Sequence, residues 1–487
     1  MRQLTGLDAS FLYLETANAP MHISGLSIYD QSTVEGGIVR FKEIVENTNR
    51  RIQSLPVMTQ KLVTVPMGLD HPYWVTDGAF DPEFHIRHLA LPKPGDWRQL
   101  CILISRLHAR PLDRDRPLWE MYVIEGLDNV DGLPPNCFAV FTKTHHAAID
   151  GTSGMEITAA THDLSTDYKQ VQTETTIKVD QRPGALELIA RAQLNNLRKP
   201  FSFLSVARNT VPGMAKVAAG VSKGRLSRVT DIPRTRFNGK VSPHRVFDAI
   251  SVPLEDVKII KNSVPGATVN DAAISIVGGA LRKYLLQCEE LPSQSLAAMA
   301  PVNVRSDKDE AGGNIVTTMT VQVRSDIDQP LERLQAVHEG TRQAKELTNA
   351  IGAKAMTDYS QFIPSILIAE AARLASRWGL LNRMSPQFNC VITNVPGPPV
   401  PLYSTGARMV ANFGTGPVLD GLGLFHVIGS YCGQFVISAT ACREMMPDPS
   451  FYRQCLQESF NELRAAASRR GKSANKPTKR RKRKAGA

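Results

Sequence analysis

Phe138-Ala139-Val140-Phe141-Thr142-Lys143-Thr144-His145-His146-Ala147-Ala148-Ile149-Asp150-Gly151 is the stretch on which the reading of this chain turns. Its apolar opening, Phe138 to Phe141, predicts a buried strand. Two histidines then leave the strand end beside a turn of small residues, where a ring can reach into a cleft. A histidine with an ordinary pKa of about 6.5 can take and return a proton near neutral pH. Asp150, four residues after His146, can fix the loop, and Gly151 permits a sharp turn. A chance match to His-His-x-x-x-Asp-Gly is expected only about 0.001 times in a chain of this composition. The other readings are a buried structural pair and half of a metal site. Zinc would need further ligands at recognisable spacing, and neither His-Glu-x-x-His nor Cys-x-x-Cys occurs in the chain.

The 487 residues are long for a single core and predict two domains. At 42% hydrophobic and 21% charged, the composition is that of an ordinary globular protein. The formal net charge is +11, but Arg469 to Lys484 alone holds ten Lys/Arg and no acid, leaving the remainder about +1. The basicity is therefore a tail, expected to be disordered, rather than a groove. Such a tail either binds anionic lipid headgroups or is a solubilising end with no specific partner. It has no aromatic residue to stack on a base, so no specific nucleic-acid partner is expected. The seven cysteines (Cys101, Cys137, Cys288, Cys390, Cys432, Cys442 and Cys455) are odd in number and scattered, which predicts free thiols in a reducing compartment. The N-terminus lacks the apolar core of a signal peptide. Gly421–Cys442 is long and uncharged, yet its Ser430–Gly433 turn and β-branched residues predict two strands rather than a membrane span.

Residues 1–165 mix strand-like runs (Ile23–Tyr29, Met121–Ile124, Phe138–Phe141) with helical ones (Arg40–Ser54, Trp97–Arg110). Residues 166–243 read as a crossover. Within it, Ala185–Arg228 is helical in composition and holds Arg191, Arg198, Lys199, Arg208, Lys216, Lys223, Arg225 and Arg228 against only Glu187. It is either a packed linker with a solvated face or a segment lying in a membrane interface. Residues 244–467 resume the mixed pattern. Helices are expected over Ala272–Leu286 (led by a cap region at Thr268–Asp271), Leu331–Thr348 and Tyr359–Trp378. Strands are expected over Ile315–Val323, Phe388–Asn394 and Phe425–Ala439. Residues 468–487 are the tail. Strands outside a strict βαβ rhythm predict mixed α/β sheets rather than a doubly wound fold. No Gly-x-Gly-x-x-Gly and no phosphate-loop lysine appears, so a nucleotide-driven reaction is not indicated.

These residues together resemble the bacterial wax ester synthase/diacylglycerol acyltransferase family. The resemblance is carried by His145–Gly151, Pro117-Leu118-Trp119-Glu120, Asn270-Asp271, Asn394-Val395-Pro396-Gly397-Pro398, and the opening Leu7-Asp8-Ala9 to Pro20-Met21-His22. It runs from about residue 4 to Tyr452. The seven-residue motif alone is shared with peptide-synthetase condensation domains and other chloramphenicol-acetyltransferase-type enzymes; the ordered set is more specific.

The resemblance implies two chloramphenicol-acetyltransferase-like (coenzyme-A-dependent acyltransferase) domains joined by a helical crossover, with a channel between them. It implies acyl transfer from acyl-CoA to diacylglycerol, a long-chain alcohol, or both, with acyl-CoA as substrate and no cofactor or metal. His146 is then the general base, taking the alcohol proton and giving it to the departing thiolate. His145 orients its neighbour or lines the channel. Asp150 is structural, with Arg305 its expected partner. Asn270 either donates to the oxyanion or acceptor, or caps a helix. Pro117 and Trp119 shape the channel wall. Greasy substrates imply cytoplasmic work at the inner membrane face and on lipid inclusions. Two other functions remain open at this stage: condensation of carrier-bound thioesters, and a non-catalytic coat on lipid inclusions.

Overall fold

The computed structural model describes residues 1–149, 151–167, 183–197, 232–303, 316–351 and 385–474. Asp150, Arg305, the Tyr359–Trp378 run, most of the crossover and residues 475–487 lie outside them.

In the first half the strands are Arg2–Gln3 (β1), His22–Asp30 (β2), Gln60–Val63 (β3), Tyr73–Thr76 (β4), Ile86–Ala90 (β5), Trp119–Glu125 (β6) and Cys137–His145 (β7). The second half adds Arg245–Pro253 (β8), Ala297–Asn303 (β9), Val316–Gln322 (β10), Cys390–Pro396 (β11), Tyr403–Ser404 (β12), Ala407–Thr415 (β13), Leu424–Tyr431 (β14) and Gln434–Cys442 (β15). Among the described residues they form two six-stranded sheets and a small one. The first has the order β12-β13-β2-β7-β6-β5, the second β10-β9-β11-β14-β15-β8, and the small one β1-β4-β3. Both large sheets are mixed, as the sequence predicts. β5 runs parallel to β6, and β11 runs parallel to both β9 and β14.

β7 lies inside the first sheet and is covered on both faces. This is why its sequence is a nearly continuous apolar run instead of an alternating one. One face packs the helix Trp97–His108 through Leu100, Ile104 and Leu107. Asp96 caps that helix by accepting from the Gln99 amide. Lys143, fully buried, reaches its other end and donates to the carbonyls of Leu107 at 3.2 Å and Arg110 at 2.9 Å. Glu120 balances that charge at 2.8 Å. The other face packs the helix Phe41–Ile52, whose Ile44 and Ile52 join Trp119 and Val140 in a second core. In the second domain the helix Val269–Gln287 is buried almost all round and lies at the centre of the largest core. Its neighbour is the helix Pro449–Ala474.

Two findings revise the expected layout. A boundary at 244 separates the large sheets, except that β12 and β13 cross back. β13 pairs antiparallel with β2 through a bulge between Met409 and Ala411. The expected start of the tail at residue 468 is corrected by the helix Pro449–Ala474, which runs on through Arg469 and Arg470; residues 475–487 lie outside the described residues. Tyr452, Leu456, Phe460, Leu463 and Ala467 are buried along one face and anchor it. Alanines 465–467 propagate it at low cost, and cations in its last turns suit the negative end of the helix dipole.

Candidate active site

β7 delivers His145 opposite His22 on β2. Main-chain bonds pin the loop that follows. The His145 amide donates to Leu118 O at 3.0 Å, His146 to Met21 O at 2.8 Å, and Ala148 to His145 O at 2.9 Å. Three segments that are far apart in the chain thus fix where the two rings project.

The rings have different surroundings. His145 is buried with both nitrogens engaged. Its Nδ1 accepts from the Ala147 amide at 3.0 Å, so Nε2 carries the hydrogen and donates to Glu15 Oε2 at 2.9 Å. That ring is the brace of the loop. His146 is part-exposed and stacks on Phe11, with ring centroids 3.9 Å apart and planes 16° from parallel. Its Nδ1 is buried and has no hydrogen-bond partner among the described residues. Burial lowers the His146 pKa to about 4; its own backbone carbonyl pulls the other way, and His145 adds to the fall. The ring is therefore neutral, and able to accept a proton, at neutral pH.

Glu15 is the hub that the sequence reading misses. Besides His145, its Oε2 accepts from the Met21 amide at 2.9 Å, and its Oε1 from Arg114 at 2.8 Å. Burial alone would raise its pKa; the hydrogen bond and charge of His145, the Met21 amide and Arg114 outweigh that and hold it at about 2. His22, also buried, has its Nε2 3.9 Å from Glu15 Oε2 with no hydrogen bond of its own. Burial pushes its pKa well down, reinforced by the charge of Lys143. Glu15 lies inside the quoted opening, Leu7-Asp8-Ala9 to Pro20-Met21-His22, and His22 ends it. That resemblance is the only signal in the sequence that could have found them. A cavity of about 190 Å³ lies beside the hub, lined by Leu12, Tyr13, Leu62, Val63, Pro72 and Arg114 among others.

The other expected site residues are dispersed. Gly151 opens the helix Gly151–Thr161, directly after the loop. Pro117 is buried, and its carbonyl accepts from the Trp119 amide at 2.8 Å. Trp119 is a core residue; its Nε1 donates to Met58 O at 2.8 Å and its ring stacks on His85. Asn270 is half-buried in the first turn of Val269–Gln287 and is not its cap. Thr268 and Asp271 form the capping box, while His338 at 3.0 Å and Thr341 at 2.6 Å hold Asp271 further. Asp150 and Arg305 lie outside the described residues, and with them their expected pairing. No group of three or more potential metal ligands occurs among the described residues.

The site is thus a histidine pair at the end of a strand of the first mixed sheet, braced by a carboxylate. Residues 4–273 match the family model of the wax ester synthase/diacylglycerol acyltransferase catalytic domain, and residues 312–464 that of the WS/DGAT C-terminal domain. A Mycobacterium tuberculosis (strain CDC 1551 / Oshkosh) protein provisionally named a diacylglycerol O-acyltransferase is 32% identical over 466 residues, covering 95% of this chain and 90% of the relative. The wax ester synthase/diacylglycerol acyltransferase from Marinobacter aquaeolei VT8 superposes with a TM-score of 0.67 at 26% identity, covering 96% of this chain and all of that one. The starter condensation domain of rhizomide synthetase, in a complex with C8-CoA, shares the fold at a TM-score of 0.52 and 13% identity, over 96% of this chain and 95% of its own. The chain belongs to the wax ester synthase/diacylglycerol acyltransferase family of acyltransferases.

Proposed function

We propose that the chain moves a fatty acyl group from acyl-CoA to diacylglycerol, to a long-chain alcohol, or to both, giving triacylglycerol or wax ester, with His146 as general base. The observation that carries this reading is the division of labour between the two histidines. Both nitrogens of His145 are committed, while His146 is neutral, oriented by Phe11, and part-exposed. His146 takes the proton of the acceptor hydroxyl as its oxygen attacks the thioester carbon. The carbon–sulfur bond then breaks and the same proton passes to the coenzyme A sulfur. No acyl-enzyme is needed when both substrates meet in one channel. Asn270 donates to the oxyanion or the acceptor, and Pro117 and Trp119 support the channel wall from the core side. The reaction uses no cofactor beyond its acyl-CoA substrate. The enzyme works at the cytoplasmic membrane face and on lipid inclusions; among the described residues no helix is long and apolar enough to cross a membrane.

The test is release of coenzyme A thiol from palmitoyl-CoA with hexadecanol or a diacylglycerol. Release should require an acceptor and fall about a hundred- to ten-thousandfold in His146→Ala. The preferred acceptor names the reaction. Acceptor-independent release would make the reaction hydrolysis instead of transfer, and a folded His146→Ala variant as fast as wild type would remove His146 from the chemistry.

A further inference from the structure

The helix at 185–197 has two apolar faces, and among the described residues only one of them is covered. Leu188 and Ala192 are buried against Val63, Val65, Tyr73 and Val75 of the small sheet and its flank. Asn195 donates to Gln3 at 3.2 Å and Asp70 at 2.8 Å, and Asn196 to Leu69 O at 3.1 Å, so the helix is fastened to that sheet. On the opposite side Leu186 is 84% exposed, Leu194 50% and Leu197 71%. At 3.6 residues per turn these three fall within one sector of roughly 80°. Met67 belongs to the same lobe, 71% exposed in the turn Pro66–Gly68, two residues from the carbonyl that Asn196 binds. Single exposed apolar side chains are ordinary; four grouped in one small lobe mark an interaction surface.

The charge of the adjoining sequence selects the partner. Arg191, on the flank of the helix and paired with Glu187, is exposed. The sequence immediately following, 198–228, holds seven Lys/Arg and no acid. Apolar side chains followed in the chain by a run of cations complement an anionic bilayer. A second copy of this chain would bring like charge to the same face. The lobe also adjoins the catalytic loop. Trp74 of β4 packs with Ala9 and Leu12 of the helix Gly6–Leu14, and Phe11 of that helix stacks on His146.

We infer that this lobe docks on an anionic lipid surface, with Leu186, Leu194, Leu197 and Met67 entering the headgroup boundary. The inference rests on the acyl-transfer reading, because acceptors of that kind reside in lipid. The experiment compares the full chain with Leu186→Ser/Leu194→Ser/Leu197→Ser for sedimentation with phosphatidylcholine vesicles containing phosphatidylglycerol. Coenzyme A release from a short-chain acyl-CoA with a water-soluble alcohol serves as the reference. Vesicle affinity should fall at least about tenfold, while release from soluble substrates stays unchanged. Met67→Ser, at a loop tip, should give a smaller loss in the same direction and carries the test if the triple variant fails to fold. Unchanged vesicle binding with soluble activity intact overturns the docking surface and leaves the acyl-transfer reading standing. So does a variant that loses only self-association. A wild type that binds vesicles through this face yet releases no coenzyme A with any acceptor defeats the acyl-transfer reading instead.

Discussion

Because burial lowers the His146 pKa to about 4, the ring needs no deprotonation before it can act as a base at neutral pH. The sign follows directly. The active form is the neutral one, so kcat/KM should hold as pH falls through 6.5 and decline only as pH approaches about 4. A decline centred on the ordinary histidine value would mean that the ring is solvated in the working enzyme. Glu15 bears on the same measurement in a different way. It does not touch the His146 ring; it holds His145 and the Met21 amide, whose carbonyl receives the His146 amide. Glu15→Gln keeps the size but loses the charge opposite Arg114 and one of the acceptor lone-pair sets. We expect kcat to drop between about tenfold and a hundredfold from misplacement of the loop, with the acid limb still near 4. A limb displaced with the rate would make Glu15 an electrostatic partner of the base, and an unchanged kcat would make it dispensable.

At the scale of elements, close approach is what the second domain is built on. Gly278, in the middle of Val269–Gln287, faces the residue that follows β10: a Cβ there would come within 1.9 Å of Val323 O. One residue on, Gly279 leaves room for the buried guanidinium of Arg333, which donates to Ser275 O at 3.1 Å. In a free helix Gly→Ala gains about 1 kcal/mol. Here Gly278→Ala should instead cost about 1–3 kcal/mol, because backbone, not a flexible side chain, must move. Urea unfolding decides the sign, and a stabilised variant would show that the helix can shift away from the sheet. The same element shows what sequence can encode. Thr268 and Asp271 announce its start, and the apolar density of Ala272–Leu281 announces its burial. Likewise Ser430–Gly433 separates β14 from β15 as read, because turn chemistry is local. β1, β3 and β4 are two to four residues long and carry too little alternation to be seen. The pairing of β13 with β2 joins residues nearly four hundred apart, and no local pattern specifies it. Of the site, the histidine loop is legible from its residue order, whereas Glu15 becomes a partner of His145 only when the fold brings them together.

Across the whole molecule, histidines are held neutral in the interior, and this gives stability a pH dependence that can be signed. His108 lies where the two halves meet, bonded to Ser24 at 2.9 Å, Thr415 at 3.1 Å and Gly416 O at 3.1 Å. Burial, with help from Arg245 and Lys143 and against the Gly416 carbonyl, puts its pKa at about 3. His426, in the core of the second domain between Val391 O and the Tyr452 hydroxyl, is lowered by burial to about 4. In the unfolded chain both return to about 6.5. Below that value the unfolded chain binds protons that the folded one refuses, so this stability is fully present above pH 6.5 and drains away as pH falls. By about pH 5 each of the two should have lost roughly 2 kcal/mol. Glu15 and Glu120, whose pKa values are lowered, begin to lose their own contribution only as pH passes down through the ordinary carboxylate range. The interval from about pH 7 to 5 therefore isolates the histidines. Urea midpoints measured across it should fall steadily, in both domains, since one histidine sits at the junction and the other inside the second core. Midpoints that stay level to pH 5 would mean that these rings are protonated in the folded state and that the interior around them admits water.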